Sequence, residues 1–461
     1  MNEPYLAIAD ADKIHNYVFS PRELKMIRGG SAIQVELNYE DMPRLVEKNH
    51  GDVIYRGGGT VLAEFFSKAY ADQFCRDCHA EFARKTGIAT VSTARSPYDS
   101  SDFRGSLRRV RDELERNKQE RGETVFNGGG SYWANCQGCG VYAAMSFGRS
   151  DPSRVLCAAC VLREQGSKRK KNYPADVKPP EDFEAIGAFS RPANYVALIY
   201  IDLDRLGKHL ADWAETSRLK YQEVSVLIDH SVREAVQKTC QEMLVFERDG
   251  NQQAAYEILL RGGDDAVLLA PASYGLQVLE RFGQLYRDSY ESAETGTPTP
   301  ALSAGVVIAH QNFPISDLLS MAEELLRSAK TLRGGDSVDF AVVSSSLSEN
   351  PLTERRIAPQ RSGGVYRTVK PYNLTDLMSQ VARISRLKAK APASKVKALY
   401  SIAYEEVMQA ELEYLDLLGR LDEESKQIML EAVGSELWAA SASGWMGTRA
   451  ADIVELWDFC R

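Results

Sequence analysis

The sequence has no long apolar segment and no excess of positive charge. Its 461 residues are 44% hydrophobic and 26% charged, which is ordinary for a soluble globular protein, and no apolar run approaches the roughly 20 residues of a membrane span. The N-terminus lacks a basic stretch followed by an apolar one, so we expect no signal peptide, no membrane contact and a cytoplasmic location. The formal net charge is −8, whereas a free-standing general binder of nucleic acid is more often basic. Contact with RNA or DNA would therefore be local, or made through partner subunits.

Cysteine is sparse, but its spacing is informative. Six of the eight cysteines form C-x-x-C pairs, which favours metal-bound or reduced thiols in an intracellular protein over disulfides. Two of the pairs combine as C-x2-C-x17-C-x2-C, formed by Cys136, Cys139, Cys157 and Cys160. This spacing is typical of a structural four-thiolate zinc site, and the alternative is a set of reduced or redox-active thiols. Cys75 and Cys78 fall within a predicted helix, and we interpret them as buried apolar side chains.

A weak internal repeat indicates the fold. Residues 6–14 (LAIADADKI) resemble residues 198–206 (LIYIDLDRL), and each is an apolar run with Asp-x-Asp near its end. Residues 55–62 (YRGGGTVL) resemble residues 260–267 (LRGGDDAV), and each reads as two short strands around a glycine turn. The order strand, helix, hairpin, helix, strand therefore occurs twice. We predict an α+β fold with two ferredoxin-like palm domains, each an antiparallel sheet with helices on one face. The alternative is a single large α/β domain.

The remaining segments differ in composition, and they set the predicted domain boundaries. We predict a first palm domain at 1–98, a helix plus the four-cysteine zinc module at 99–165, a linker at 166–193, a second palm domain at 194–345 and a C-terminal helical domain at 346–461. Amphipathic spacing in the last segment indicates a bundle of about four helices. The basic run 168–171 reads as solvated linker, and the alternative is a contact with RNA or DNA phosphates.

Acidic residues in the second copy of the repeat form a candidate metal site. Asp202 ends an apolar strand, where a carboxylate is costly unless a cation or a donor meets it. Asp264 and Asp265 follow Gly262 and Gly263, which allow a tight turn and the close approach of a nucleotide. In a palm domain this hairpin lies beside the first strand, so the three carboxylates converge. Such an oxygen cluster suits two Mg²⁺ or Mn²⁺ ions that assist phosphoryl transfer, and the alternative is an ordinary surface turn.

Four further polar residues accompany this candidate site. Asp204 either supports the metal ligands or caps the following helix. Lys330, at the end of a predicted helix, is a candidate triphosphate contact, although the helix dipole alone favours a lysine there. Arg205 and Lys208 lie near a predicted helix N-terminus, where they are placed to face phosphate.

Taken together, these motifs resemble those of one known family. With a zinc module and a degenerate palm before the Gly-Gly-Asp-Asp palm, the chain resembles the large subunit of type III CRISPR effector complexes. The resemblance spans nearly the whole chain. The matching motifs are residues 12–19 (DKIHNYVF), 28–32 (RGGSA), 57–59 (GGG), 202–208 (DLDRLGK), 262–265 (GGDD), 303–310 (SAGVVIAH), 329–330 (AK) and 367–372 (RTVKPY).

The resemblance carries expectations about function. Members of that family make cyclic oligoadenylates from ATP when the complex binds target RNA. It implies a nucleotidyl transferase with Asp202, Asp264 and Asp265 as catalytic metal ligands, ATP as substrate and Ser303 beside the nucleotide. It also implies that the partners are other subunits of the effector complex, guide RNA and target RNA.

The first palm departs from the second at its hairpin. Asp10 and Asp12 are kept, but Gly59 and Thr60 stand where the second palm has its paired carboxylates. By the resemblance, the first palm should hold no pair of metals and should instead help to form the nucleotide pocket between the palms.

The start of the chain also differs from many members of the family, which begin with an HD nuclease domain that cuts single-stranded DNA. The first palm begins here at Tyr5, and His15 and Asp41 do not form an HD motif, so we expect no HD nuclease. Two alternative functions stay open. One is a stand-alone synthase of another cyclic nucleotide. The other is a catalytically silent scaffold that grips RNA and partner proteins.

Overall fold

The structure is a computed structural model. It describes residues 3–120, 134–167, 172–204, 206–207, 213, 217–293, 296–343 and 364–460. Within these ranges, no helix is both long enough and apolar enough to cross a bilayer.

The first copy of the repeat forms a four-stranded antiparallel sheet in the spatial order β2-β3-β1-β4. Its strands are β1 (Tyr5–Ala11), β2 (Gly51–Gly57), β3 (Thr60–Phe65) and β4 (Val91–Pro97). The helices around it are α1 (Ile14–Phe19), α2 (Leu24–Glu36), a π-helical turn (Leu37–Asp41), α3 (Met42–Lys48) and α4 (Lys68–Thr86). This order of elements and strands is that of a ferredoxin-like palm, as predicted.

Helices cover both faces of this sheet. On one face, Ala7 of β1 shares a buried cluster with Phe74 of α4. On the other face, Ile8 shares a cluster with Val110 of α5 (Phe103–Glu120). Since side chains alternate across a strand, a strand covered on both faces is apolar throughout. The expectation of helices on one face is therefore wrong for this sheet, because the charged helix after β4 folds back over it.

Short elements connect the two sheets. Those within residues 134–193 are β5 (Ser146–Phe147), β6 (Val155–Leu156), α6 (Ala158–Gly166), β7 (Val177–Lys178) and α7 (Phe183–Gly187). β5 pairs with β6 in the four-cysteine segment, whereas β7 joins a small sheet with two strands of the following segment. The predicted linker thus contains ordered elements that contact the second palm.

The second copy of the repeat forms a six-stranded sheet in the order β11-β12-β8-β13-β14-β15. The strands of this part are β8 (Tyr195–Leu203), β9 (Val245–Arg248), β10 (Asn251–Ala254), β11 (Glu257–Gly262), β12 (Asp265–Pro271), β13 (Leu302–His310), β14 (Ser337–Val343) and β15 (Tyr372–Asn373). The helices are α8 (Arg218–Met243), α9 (Gly275–Glu291) and α10 (Ile315–Ala329). β13 and β14 are parallel, because α10 crosses over between them, so the sheet is not wholly antiparallel.

The second sheet is also covered on both faces. Ile199 of β8 belongs to the same buried cluster as Val232 of α8. The next residue toward the N-terminus, Leu198, belongs to a cluster with Leu318 of α10 and Phe19 of α1. A helix of the first palm therefore contributes to the core under the second sheet, and the two palms share apolar packing.

The C-terminal segment is helical, as predicted. Its helices among residues 364–460 are α11 (Leu374–Lys390), α12 (Ala393–Ala403), α13 (Val407–Gly419), α14 (Glu423–Ala432) and α15 (Ala450–Leu456), together with the short strands β16 (Ala439–Ala440) and β17 (Met446–Gly447). The described part thus holds five helices, where about four were expected. Asp452 joins this segment to the second palm, because its buried carboxylate accepts hydrogen bonds from Thr368 at 2.6 Å and from Tyr372 at 2.8 Å.

Candidate active site and zinc module

Two neighbouring strands bring the predicted carboxylates to one end of the second sheet. The antiparallel pairing of β8 with β12 sets Asp202 opposite Asp265, and Asp264 lies in the turn just before β12. Gly262 and Gly263 occupy this turn with φ of 141° and 66°, a region of backbone conformation that favours glycine. The turn is therefore tight, and it holds both hairpin carboxylates where the first strand ends.

Burial and mutual repulsion disfavour the ionised forms of the hairpin carboxylates. Burial, followed by the charge of Asp202, raises the pKa of Asp264 to about 6. Burial, followed by the charges of Asp264 and Asp202, raises the pKa of Asp265 well above its ordinary value. Lys330 forms an ion pair with Asp202 and opposes both shifts. The Oδ1 atom of Asp265 is buried without a hydrogen-bond partner, so this donor set fits a hard divalent cation.

Asp204 and Ser303 contact each other on the opposite side of β8. The pairing of β13 with β8 sets Ser303 opposite Asp202. Ser303 is fully buried, and its hydroxyl donates to Oδ1 of Asp204 at 2.6 Å. The role of Asp204, as a support for the metal ligands or as a helix cap, stays a prediction.

Two candidate phosphate-contacting residues and the basic run that we interpret as linker fall outside the described residues. They are Arg205, Lys208 and the basic run 168–171. Lys330 is described, and it stands at the C-terminal end of α10 beside Asp202.

A cleft between the two palms opens beside the turn that contains Gly262 and Gly263. Its cavity volume is ≈ 60 Å³, below the roughly 300–1,000 Å³ of sites that enclose a drug-sized ligand. Its lining residues from both palms include His15, Asn38, Gly59, Arg261, Gly262 and Asp265. The first palm thus contributes one wall beside Asp265, where the resemblance placed a nucleotide pocket.

Further polar residues, His15 and Asp229, also lie at this site. His15 contacts Glu323 through Nδ1 at 2.8 Å and the hydroxyl of Tyr200 through Nε2 at 3.2 Å. Asp229 of α8 accepts a hydrogen bond from the backbone N–H of Gly263 at 2.8 Å. On a helix with an apolar face, a carboxylate such as Asp229 reads as solvated surface, so the sequence carried no signal for it.

The corresponding carboxylate of the first palm is already neutralised. Oδ2 of Asp10 forms an ion pair with Lys118 at 2.7 Å, and Oδ1 accepts a hydrogen bond from the hydroxyl of Thr60. Asp12 accepts a hydrogen bond from Thr90 at 2.8 Å. Lys118 thus supplies positive charge beside Asp10, and the absence of a metal pair from the first palm stays a prediction.

The predicted zinc ligands converge in a buried cluster. Their four sulfur atoms all lie within 4.8 Å of one another, in the set Cys136, Cys139, Cys157 and Cys160. The N–H of Gly138 donates to Sγ of Cys136 at 3.3 Å, and the guanidinium of Arg163 donates to Sγ of Cys160 at 3.4 Å. Such donors stabilise thiolate ligands. Among the described residues, these four cysteines form a group whose ligand atoms all lie within 4.8 Å of one another. Asp202, Asp264 and Asp265 do not meet this spacing.

Comparison with known proteins identifies the second palm. The family described as Cas10/Cmr2, second palm domain, matches residues 195–339. The chain is 25% identical over 199 residues to the CRISPR system Cmr subunit Cmr2 of Pyrococcus furiosus (strain ATCC 43587 / DSM 3638 / JCM 8422 / Vc1). That match covers 39% of this chain and 22% of the relative, so it spans less than a quarter of the relative's length.

Solved structures share the fold over most of the chain. A Csm1-Csm4 cassette in complex with one ATP matches with a TM-score of 0.58 and 13% identity, covering 100% of this chain and 70% of that one. An apo Csm1-Csm4 cassette matches with a TM-score of 0.56 and 15% identity, covering 91% of this chain and 66% of that one. At such identities the likeness concerns the fold alone. Residues 195–339 thus match the second palm domain of Cas10/Cmr2, and this match and the similarity to Cmr2 support a relationship to the large subunits of type III CRISPR complexes.

Proposed function

We propose that the chain is a nucleotidyl transferase that joins ATP into cyclic oligoadenylates. One observation carries the proposal. Asp202 and Asp265 stand opposite each other on adjacent strands, Asp264 lies in the tight turn between the hairpin strands, and an oxygen of Asp265 is buried without a partner. Three crowded carboxylates are unfavourable in a fold unless cations meet them.

The carboxylates would hold two Mg²⁺ or Mn²⁺ ions, which lower the pKa of an attacking hydroxyl and neutralise the charge on departing pyrophosphate. Gly262 and Gly263 present no side chain, so a nucleotide can approach the turn closely. Lys330 stands beside Asp202, from where its ammonium would meet a triphosphate oxygen. Asp204 and Ser303 hold the end of β8 in place.

The choice of ATP and of a cyclic product rests on relatives. Csm1-Csm4 cassettes of the same fold have been solved with one ATP, with pppApApA and with cA4. A cleft walled by both palms lies beside Asp265 here, and it is the place that we propose for the nucleotide. We further propose that other type III effector subunits, guide RNA and target RNA are the partners.

We also propose that Cys136, Cys139, Cys157 and Cys160 hold one structural zinc ion. A four-thiolate site has no open position for a substrate. The zinc would therefore stabilise the segment between the palms and take no part in catalysis.

The test is incubation with each labelled nucleoside triphosphate and Mg²⁺ or Mn²⁺, with and without partner subunits and target RNA. We expect cyclic oligoadenylates from ATP, and none from the Asp264→Asn/Asp265→Asn variant. A different cyclic nucleotide made by the chain alone would favour the stand-alone synthase. No product from any nucleotide, even in the complex with target RNA, would favour the silent scaffold.

A further inference from the structure

One carboxylate oxygen ties the first palm to the turn that carries Asp264 and Asp265. Oδ1 of Asp229 accepts the backbone N–H of Gly263 at 2.8 Å and the hydroxyl of Tyr39. Tyr39 belongs to the first palm, and Asp229 lies on α8 of the second, 190 residues later. Tyr39, Asp229 and Gly263 together form a hydrogen-bonded group that we call the latch.

The first-palm side of the latch is a π-helical turn. Tyr39 lies at the centre of the segment Leu37–Asp41, and such turns inside helices are frequent at functional sites because the extra residue redirects a side chain. The ring of Tyr39 packs under the guanidinium of Arg233, 4.2 Å from the ring centroid. Arg233 also approaches Oδ2 of Asp229 at 3.6 Å, so one cation orients both partners of the hydroxyl bond.

The glycine turns of the two palms also touch each other. A Cβ atom added to Gly263 would lie 2.9 Å from the backbone nitrogen of Gly58, and one added to Gly57 would lie 3.1 Å from Cα of Gly263. A Cβ atom on Gly262 would clash with the hydroxyl oxygen of Tyr39. The catalytic turn thus rests on the first palm through backbone contact as well as through Tyr39.

A purely structural role would not require this arrangement. Asp229 is 7% exposed, and a buried carboxylate must be paired. Arg233, one helical turn away on α8, already supplies the charge. The two donors to Oδ1 come instead from other elements, and one is the backbone of the catalytic turn itself.

We propose that the latch sets the position of the catalytic turn, so that Asp229 and Tyr39 are positioning residues through which the first palm controls the second. The inference rests on the proposed nucleotidyl transfer. A shift of Tyr39 would move Asp229, and the hydrogen bond to Gly263 would carry that displacement to Asp264 and Asp265. Small displacements matter, because metal-assisted transfer requires the reacting atoms to be held in line. The degenerate palm is thus a regulator of the intact one.

The experiment compares Tyr39→Phe, Asp229→Asn and Asp229→Ala with wild type. Tyr414→Phe is the matched control, since it removes a tyrosine hydroxyl bond of 2.7 Å to the Gly434 carbonyl in the C-terminal helices. Hydrogen exchange of the hairpin peptide 260–267 and steady-state kinetics with ATP and Mn²⁺ are measured on the same preparations.

We expect exchange in the hairpin at least about tenfold faster in Asp229→Ala, because a hydrogen bond to a charged group is lost. Tyr39→Phe should give a smaller increase, and Asp229→Asn should fall between wild type and Asp229→Ala because the amide oxygen still accepts from Gly263. The value of kcat should fall most in Asp229→Ala and less in Tyr39→Phe and Asp229→Asn. The KM for ATP should stay within about twofold of wild type, since the position of the turn affects the transition state and not substrate binding. Tyr414→Phe should change neither quantity.

Two results would overturn the latch. One is hairpin exchange in Tyr39→Phe and Asp229→Ala that equals wild type. The other is faster exchange spread equally over the whole chain, as a general loss of stability would produce. If Asp229→Ala does not fold, the hairpin exchange of Tyr39→Phe and Asp229→Asn tests the latch without it. Wild type that forms no product refutes the proposed function, whereas the exchange data still decide whether the latch holds the turn.

Discussion

Replacing Asp264 by asparagine should make the fold more stable and the site inactive. Burial and the charge of Asp202 raise the pKa of Asp264 from 3.8 to about 6. Each pH unit between the folded and unfolded pKa values corresponds to about 1.4 kcal/mol, so the ionised carboxylate costs the folded protein on the order of 3 kcal/mol near neutral pH. An asparagine at this position would keep the shape of the side chain and remove this cost.

The sign of the pH dependence follows from the direction of the shift. Because the folded-state pKa is the higher one, the folded protein binds the proton more tightly than the unfolded chain between pH 3.8 and about 6. Wild-type stability contributed by this group is therefore lost as the pH rises through that window. The Asp264→Asn variant lacks this loss, so its advantage over wild type should grow from about pH 4 to about pH 7.

The assay is urea unfolding across this pH range, without and with added Mn²⁺, alongside product formation from ATP. Mn²⁺ should stabilise wild type and have much less effect on Asp264→Asn, because a ligand is missing. Activity should fall roughly a hundredfold or more. Asp249→Asn is the control, since Asp249 is 93% exposed on the β9–β10 turn, and it should match wild type throughout. An Asp264→Asn variant less stable than wild type near neutral pH, or one whose difference from wild type does not vary with pH, would refute the reasoning.

Three further outcomes are expected. Asp202→Asn should lower product formation roughly a hundredfold or more. Asp10→Asn should leave most of it, because Gly59 and Thr60 stand where the second palm has its hairpin carboxylates. Equal losses in a product assay would contradict the assignment to the second palm. Purified protein should contain about one zinc per chain by elemental analysis, and Cys157→Ser should lower that content and the melting temperature; protein prepared without chelators that holds almost no zinc would end this idea. Asp452→Ala should destabilise the protein by about 3 kcal/mol or more in urea unfolding, because Thr368 and a neighbouring lysine lose a buried acceptor; a variant as stable as wild type would show that the carboxylate is dispensable.

Local patterns carried most of the fold. An apolar run ending in Asp-x-Asp and a Gly-Gly turn between short strands are each defined within a few residues, and their order along the chain occurs twice, which predicted the two palms that the structure shows. The spacing of Cys136 and Cys160 with the two cysteines between them likewise predicted the cluster that the structure shows, because the short spacing within each C-x-x-C pair keeps its two thiols close together. The catalytic roles of Asp202, Asp264 and Asp265 stay predictions, and the structure supplies the convergence on which they depend.

Long-range packing decided the rest. No pattern within α5 shows that it covers the first sheet, and none within α1 shows that Phe19 packs under the second, because an amphipathic helix specifies an apolar face but not the surface that covers it. The same holds for Asp229 and Tyr39, 190 residues apart. The sequence pattern of a carboxylate on a helix surface is the same whether water or another part of the chain faces it. Only the tertiary structure, which brings Gly263 and Tyr39 to one oxygen atom of Asp229, distinguishes a solvated charge from a contact between the palms.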